Sequence, residues 1–162
     1  MLGRTHLAAG AVAGEAVAAA GHHGLSGLAI GAVVGMTSAW LPDIDKVGSG
    51  VSRSIPLGWL PGLFLKHRGF THTVLAAGLY WLLWDRWVVP RLHLPLWLPL
   101  AVAAGYGTHL LLDLLTDGGI APLWPVLRRR AGFDLTTGGL IERAGIFPGL
   151  VLLLIWCTWT WR

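Results

Sequence analysis

A chain of 162 residues that is 54% hydrophobic and only 12% charged, with a mean hydropathy of +0.63, is not composed like a soluble domain, where about a quarter of residues carry charge. Its length suits one membrane-embedded unit over residues 1–162, and its single cysteine excludes an intrachain disulfide or a cysteine-built zinc cage. A net charge of +4 without any nucleic-acid-binding motif points to membrane orientation or anionic headgroups, so no nucleic-acid partner is expected.

The first helix is predicted over about His6 to Ala20. It is alanine-rich, and Glu15 interrupts the apolar stretch that a cleavable signal peptide would need. "GHHG" then turns the chain into an apolar run from Gly24 to Leu41, whose small residues permit close helix contact. Pro42 is expected to stop that run and present Asp43 and Asp45 of "LPDID". Two such carboxylates repel unless a cation lies between them or one keeps its proton. An anionic pair at a helix C-terminus also opposes the macrodipole. A bound metal would reconcile both.

From Pro42 to Phe70 the chain is punctuated by Gly and Pro and carries the short amphipathic piece "PLGWLPGLFLK". In "KHRGFTHT", His67 and His72 converge if Gly69 permits a turn. Arg68 offers a planar fork for phosphate, and Thr71 or Thr73 is placed to cap the next helix. Apolar runs follow from Thr71 to Val89 and from Pro95 to Thr116, separated by "VVPRLHLP".

The second of these runs contains "GYGTHLLLDLLTDGG", in which His109, Asp113 and Asp117 recur every fourth residue and so share one side of a helix. Ionisable residues within an apolar span are functional candidates, and His109 with Asp113 has the spacing that grips one ion from one helical face. A second long segment, Asp117 to Ala144, contains "PVLRRRAG", which either faces anionic lipid or, as the preferred reading, fixes topology. The last run, Gly145 to Trp161, holds Cys157 as a small lipid- or helix-facing side chain, and the ten tryptophans fit interfacial belts. The expected fold is therefore all-α: a polytopic bundle of about five membrane helices with two longer cytoplasmic-side loops.

Five crossings put nine of the 12 basic residues on one side: Arg4, Lys46, Arg53, Lys66, Arg68, Arg128, Arg129, Arg130 and Arg143. By the positive-inside rule that side is cytoplasmic, giving a multi-pass inner-membrane protein with N-in and C-out. Asp43, Asp45, Asp113, Asp117, Asp134 and Glu142 collect there too, as do His6, His67, His72 and His109. His22, His23 and His93 fall in far-side turns and are expected to be solvated. Mixed imidazole and carboxylate donors suit Zn, Mn or Fe. His6, Asp43, Asp45, His67, His72, His109 and Asp113 exceed what one four-coordinate ion needs, which leaves one or two ions open.

The order "RTHLAAG", "LPDID", "HRGFTH", "GTHLLLDLLTDGG" with "PLWP", then "TTGGLIE", resembles the YdjM-like family, described as LexA-binding, inner-membrane-associated, metal-dependent hydrolases. The resemblance runs from about Arg4 to Glu142. It implies that those seven His and Asp residues are the polar signature, with Asp117 and Glu142 beside it. A looser similarity links the His109/Asp113 pair to zinc-dependent phospholipase C, although position 1 is Met where those enzymes have a tryptophan ligand.

The function expected is metal-dependent hydrolysis of a lipid or lipid-linked phosphoester, with membrane lipid as the substrate class and zinc as the first choice of metal. Arg68 would stabilise phosphate charge, and Asp45 or Asp117 would accept the water proton. The alternative is a metal-ion or proton transporter using the same cluster, for which mid-membrane polar residues with access from both faces would be needed.

Overall fold

A computed structural model describes residues 1–161. Its long helices are α1 (Gly3–Ala20), α2 (Gly24–Trp40), α5 (Val74–Leu83), α7 (Leu98–Leu114) and α8 (Phe147–Trp161). Short helices α3 (Gly50–Ser54), α4 (Pro61–Phe64) and α6 (Val89–Leu92) complete them. The described residues contain no strand. Two isolated bridges, Thr116 with Leu135 and Ile120 with Ala131, fold the segment after α7 back on itself.

Glycine sets the centre of the bundle. A Cβ on Gly14 of α1 would collide with the Gly31 carbonyl of α2, and one on Gly105 of α7 would collide with the Gly35 carbonyl. Gly35 also meets Gly10 and Gly14 of α1, so three helix backbones touch at one residue, a proximity that only small side chains allow. At the "GHHG" turn, positive φ falls on His22 and Gly24. Below the candidate site, Ala76, Tyr106, Leu110 and Ile120 form an apolar cluster that ties α5 and the post-α7 loop to α7.

Several expectations change. Two helices, Gly24–Asp45 and Ile141–Trp161, are long and apolar enough to cross a membrane, and Leu98–Leu114 is a shorter apolar helix. Five such spans are not present among the described residues. The expected third run does form a helix and extends beyond Val89 to Leu92, but a π turn, Trp84–Val88, interrupts it. Asp85 and Arg86 in that turn, and Arg91 after it, lower its apolar character. The helix runs through Pro90 and ends at His93, whose φ is +52°. The first helix contains Arg4 and Glu15 among small residues and is less apolar than α2.

Pro42 does not stop α2 outright. The backbone tightens into a 3-10 turn, Leu41–Asp45, in which proline's missing N–H is harmless at the first turn. That extra turn carries both aspartates. At its far end, α8 is preceded by a π turn, Ile141–Ile146, that contributes Glu142. Cys157 is buried, the helix-facing of the two placements expected of it.

Candidate metal centre

The start of α1, the end of α2, the start of α5, the end of α7 and the start of the Ile141–Trp161 helix meet at one end of the bundle. Their polar side chains, His6, Asp45, His72, His109, Asp113 and Glu142, are all at most 2% exposed. The opposite end carries His23 stacked on Trp97, with ring centroids 4.6 Å apart, and His22 tilted against Trp161. Those far-side histidines are surface residues, but they lean on tryptophans.

Two groups of side chains are close enough to hold a metal ion: Asp43, Asp45, His67 and His72, and His6, His109 and Asp113. The two groups touch. His72 Nε2 lies 3.1 Å from His109 Nε2, 3.5 Å from Asp113 Oδ2 and 3.9 Å from Asp43 Oδ1, while His109 Nε2 is 3.6 Å from Asp113 Oδ2. Four ligands about 2.0–2.1 Å from one tetrahedral ion stand about 3.3–3.4 Å apart. The His72, His109 and Asp113 atoms, 3.1–3.6 Å apart, are close to one face of such a polyhedron, with Asp43 further out.

The second ring nitrogens sharpen this. His109 Nδ1 is 2.7 Å from the Ala39 carbonyl, which only accepts, so Nδ1 carries the proton. His72 Nδ1 faces Asp45 Oδ2 at 3.3 Å and Thr71 Oγ1 at 3.0 Å. With both Nδ1 atoms donating, the two Nε2 lone pairs point at each other across 3.1 Å, beside a carboxylate. That arrangement repels itself unless a metal ion or a shared proton lies between the two nitrogens. The fit extends to His6, whose ring stacks on His109 at 3.9 Å and whose Nδ1 is buried without a partner.

Asp45 is placed differently from the other acids. Its Oδ1 accepts from His67 Nδ1 at 2.8 Å, and its Oδ2 accepts from the Arg68 N–H at 3.1 Å and the Thr71 hydroxyl at 2.5 Å. Both oxygens are used in orienting histidines, the arrangement in which a carboxylate fixes the tautomer of a ligand ring. Gly69 does permit the turn that brings His67 and His72 together, its N–H donating to the Lys66 carbonyl at 2.8 Å. The positive φ, +58°, is at Arg68, and Gly69 is required because a Cβ there would stand 2.6 Å from the Lys66 carbonyl. Thr73, not Thr71, caps α5, accepting from Ala76 N at 3.0 Å.

Asp113 divides its oxygens. Oδ2 faces the histidine pair, while Oδ1 takes His6 Nε2 at 3.3 Å, Arg68 Nη2 at 3.4 Å and the Met1 amino group at 2.9 Å. Glu142 is buried but holds backbone, accepting from the N–H groups of Leu2 and Gly138 at 2.6 Å each. Asp117 lies past the end of α7, exposed, and accepts from the N–H of Gly118 in its own turn at 2.8 Å. Its helical spacing with Asp113 does not extend to the site because α7 ends at Leu114.

A cleft of about 520 Å³ opens over the cluster, with His6, Asp43, His67 and Asp113 in its wall and Arg4, Lys46, Arg53 and Arg68 among its cations. Arg4, Lys46 and Arg53, counted in the sequence among the cations that orient the chain in the membrane, here line the cleft. What the wall can do chemically is receive an anion next to the histidine and aspartate cluster. Thr71, the Ala39 carbonyl and Tyr106, whose hydroxyl donates to the Thr71 carbonyl at 2.5 Å, complete the support. None of these was legible, because each contributes through a tertiary contact.

Comparison with known proteins agrees with the motif order. The profile of the family described as YdjM inner membrane protein matches residues 1–162. Inner membrane protein YdjM of Escherichia coli (strain K12) is 34% identical over 93 residues, covering 52% of this chain and 44% of that protein. The Shigella flexneri protein of the same name gives the same figures. The chain thus aligns with less than half the length of these relatives. YvsG of Bacillus subtilis (strain 168) is 29% identical over 154 residues, covering 94% of this chain and 91% of that protein. No solved structure matches. With its full length matched by the profile, the chain belongs to the YdjM inner membrane protein family.

Proposed function

We propose that this protein is an inner-membrane, metal-dependent hydrolase that cleaves a phosphoester of a lipid or lipid-linked substrate at the cytoplasmic face. The observation that carries the reading is the pair of ring nitrogens, His72 Nε2 and His109 Nε2, 3.1 Å apart beside Asp113, a residue that also lines the wall of a basic cleft. His72, His109, Asp113 and Asp43 would hold one divalent ion, zinc by donor chemistry, with Mn or Fe also suited. One ion is favoured over two because Asp113 Oδ1 is already engaged by Arg68 and His6. When bound, the ion supplies Lewis acidity and makes water a stronger acid.

The remaining chemistry belongs to side chains of the chain itself. Arg68, with Arg4, Lys46 and Arg53, binds and orients the phosphate; its guanidinium is held over Asp113 and by the Gly119 carbonyl at 3.4 Å. His67 lines the cleft with its Nδ1 fixed by Asp45, which leaves Nε2 free to accept a proton. This dyad takes the role first expected of Asp45 or Asp117 alone. Glu142 fixes the start of α1, and so the position of His6, by holding the Leu2 N–H. The clustering of donors at one end of the bundle supports hydrolysis over transport.

The deciding experiment is elemental analysis of the purified protein, followed by assay of metal-loaded protein against a panel of phospholipids and lipid phosphates. Stoichiometric metal with hydrolysis of a panel member is expected. No metal uptake would remove the centre, and ion flux in liposomes without hydrolysis would replace the hydrolase reading with transport.

A further inference from the structure

Arg68 lines a second pocket, on the side away from the cluster. This pocket, about 220 Å³, lies between the 66–69 turn and the 121–130 segment, and is lined by Lys66, Arg68, Arg128 and Arg130 around Trp124. No carboxylate lines it. Among the described residues Lys66, Arg128 and Arg130 form no ion pair. Two of the guanidinium groups are anchored to a single turn: Arg68 donates to the Gly119 carbonyl and Arg130 to the Gly118 carbonyl, each at 3.4 Å. The Ile120/Ala131 bridge holds the two limbs of that turn together, with N···O distances of 3.0 and 2.8 Å.

Arg68 has Asp113 as its counter-ion, but Lys66, Arg128 and Arg130 converge here without one and repel one another, and fixed guanidinium forks match phosphate oxygens. The surroundings select the source of that phosphate. Immediately before the arginines, Leu123, Val126 and Leu127 are exposed, Val126 by 86%, and in the short helix before Lys66, Leu63 and Phe64 are exposed too, Phe64 by 83%. Large apolar side chains exposed beside a basic cluster form the pattern of a segment lying in a bilayer interface, with its cations at the headgroups. We propose that this pocket seats the phosphate of an anionic phospholipid headgroup, separately from the metal cluster, with the apolar tips of both loops dipping among the acyl chains.

The test uses the full chain reconstituted into nanodiscs of phosphatidylcholine containing a minor share of phosphatidylglycerol. Lipid retained after gentle detergent extraction is counted by native mass spectrometry. The unmodified protein is expected to retain phosphatidylglycerol in preference to phosphatidylcholine, and Arg128→Gln/Arg130→Gln to lower that retention at least tenfold. Arg129→Gln removes a charge from the same segment but outside the pocket, and is expected to change retention less than twofold. Equal losses from Arg129→Gln and the double variant would overturn the pocket in favour of diffuse attraction, as would retention without headgroup preference.

Inorganic phosphate titrated by calorimetry into phosphatidylcholine-only nanodiscs distinguishes the other source. A saturable heat that the double variant abolishes, with no retained phosphatidylglycerol, would overturn the headgroup assignment in favour of free phosphate. Metal content of the same preparations reports on folding. Should the double variant lose its metal, Lys66→Gln carries the same comparison, with the same tenfold loss expected and unchanged retention overturning the proposal.

Discussion

Removing His109 takes away one of the two nitrogens that face each other across 3.1 Å. His109→Ala is expected to reduce bound metal at least tenfold, read by elemental analysis after desalting. Asp117→Asn is expected to leave metal content unchanged, because the side chain is exposed and bonded within its own turn. Equal losses from both would return Asp117 to the ligand set. Asp45→Asn tests a different role. It keeps the shape of the carboxylate but places an NH₂ opposite one of its donors, His67, Thr71 or the Arg68 N–H. Loss of such an orienting partner typically costs about 10–100-fold in metal affinity or activity. Competition against a chelating dye measures it, and a change below twofold would show that Asp45 does not orient the histidines.

At the scale of the helices, the three-backbone contact at Gly35 sets how closely α1, α2 and α7 approach. A Cβ at Gly35 would clash with the Gly10 carbonyl and stand 2.9 Å from Gly14 Cα. Gly35→Ala should therefore destabilise the bundle by about 1–3 kcal/mol, the usual cost of overpacking. Reversible unfolding in mixed micelles measures this, and an unchanged midpoint would mean that the helices slide apart without cost. The same elements show what a sequence can reveal. The helix breakers at "GHHG" and "LPDID", and the gathering of acids and histidines at alternate helix ends, were enough to bring five chain segments to one end. The number of spans was not legible, because a run with Asp85, Arg86 and Arg91 is hydrophobic on average yet does not qualify as a crossing helix. Nor was the orienting role of Asp45, which depends on donors up to 26 residues away along the chain. The positive φ at Arg68 was hidden because the neighbouring glycine offered the simpler explanation of the turn.

For the molecule as a whole, an ion held at the centre would make folding and metal binding one equilibrium. Asp113 is 2% exposed, and removing an ion held between it and Asp43 would leave two carboxylates at one site without the charge that joins them. A ligand present at about one hundred times its dissociation constant stabilises a fold by about 2.7 kcal/mol when it ignores the unfolded chain. Chelation is expected to lower the unfolding temperature and added zinc to restore it; identical melting curves with and without chelator would show the cluster to be independent of metal.

The Gly35 junction also has a mechanical consequence. His6 lies four residues from Gly10 and His109 four residues from Gly105, so each ring sits about 6 Å along its helix from the same point of contact. Gly35 thus acts as a fulcrum with short, matched arms ending in the two stacked imidazoles. The angle at which α1 crosses α7 is passed to the stacked rings with little amplification, so the packing of this junction and the geometry of the centre are set together.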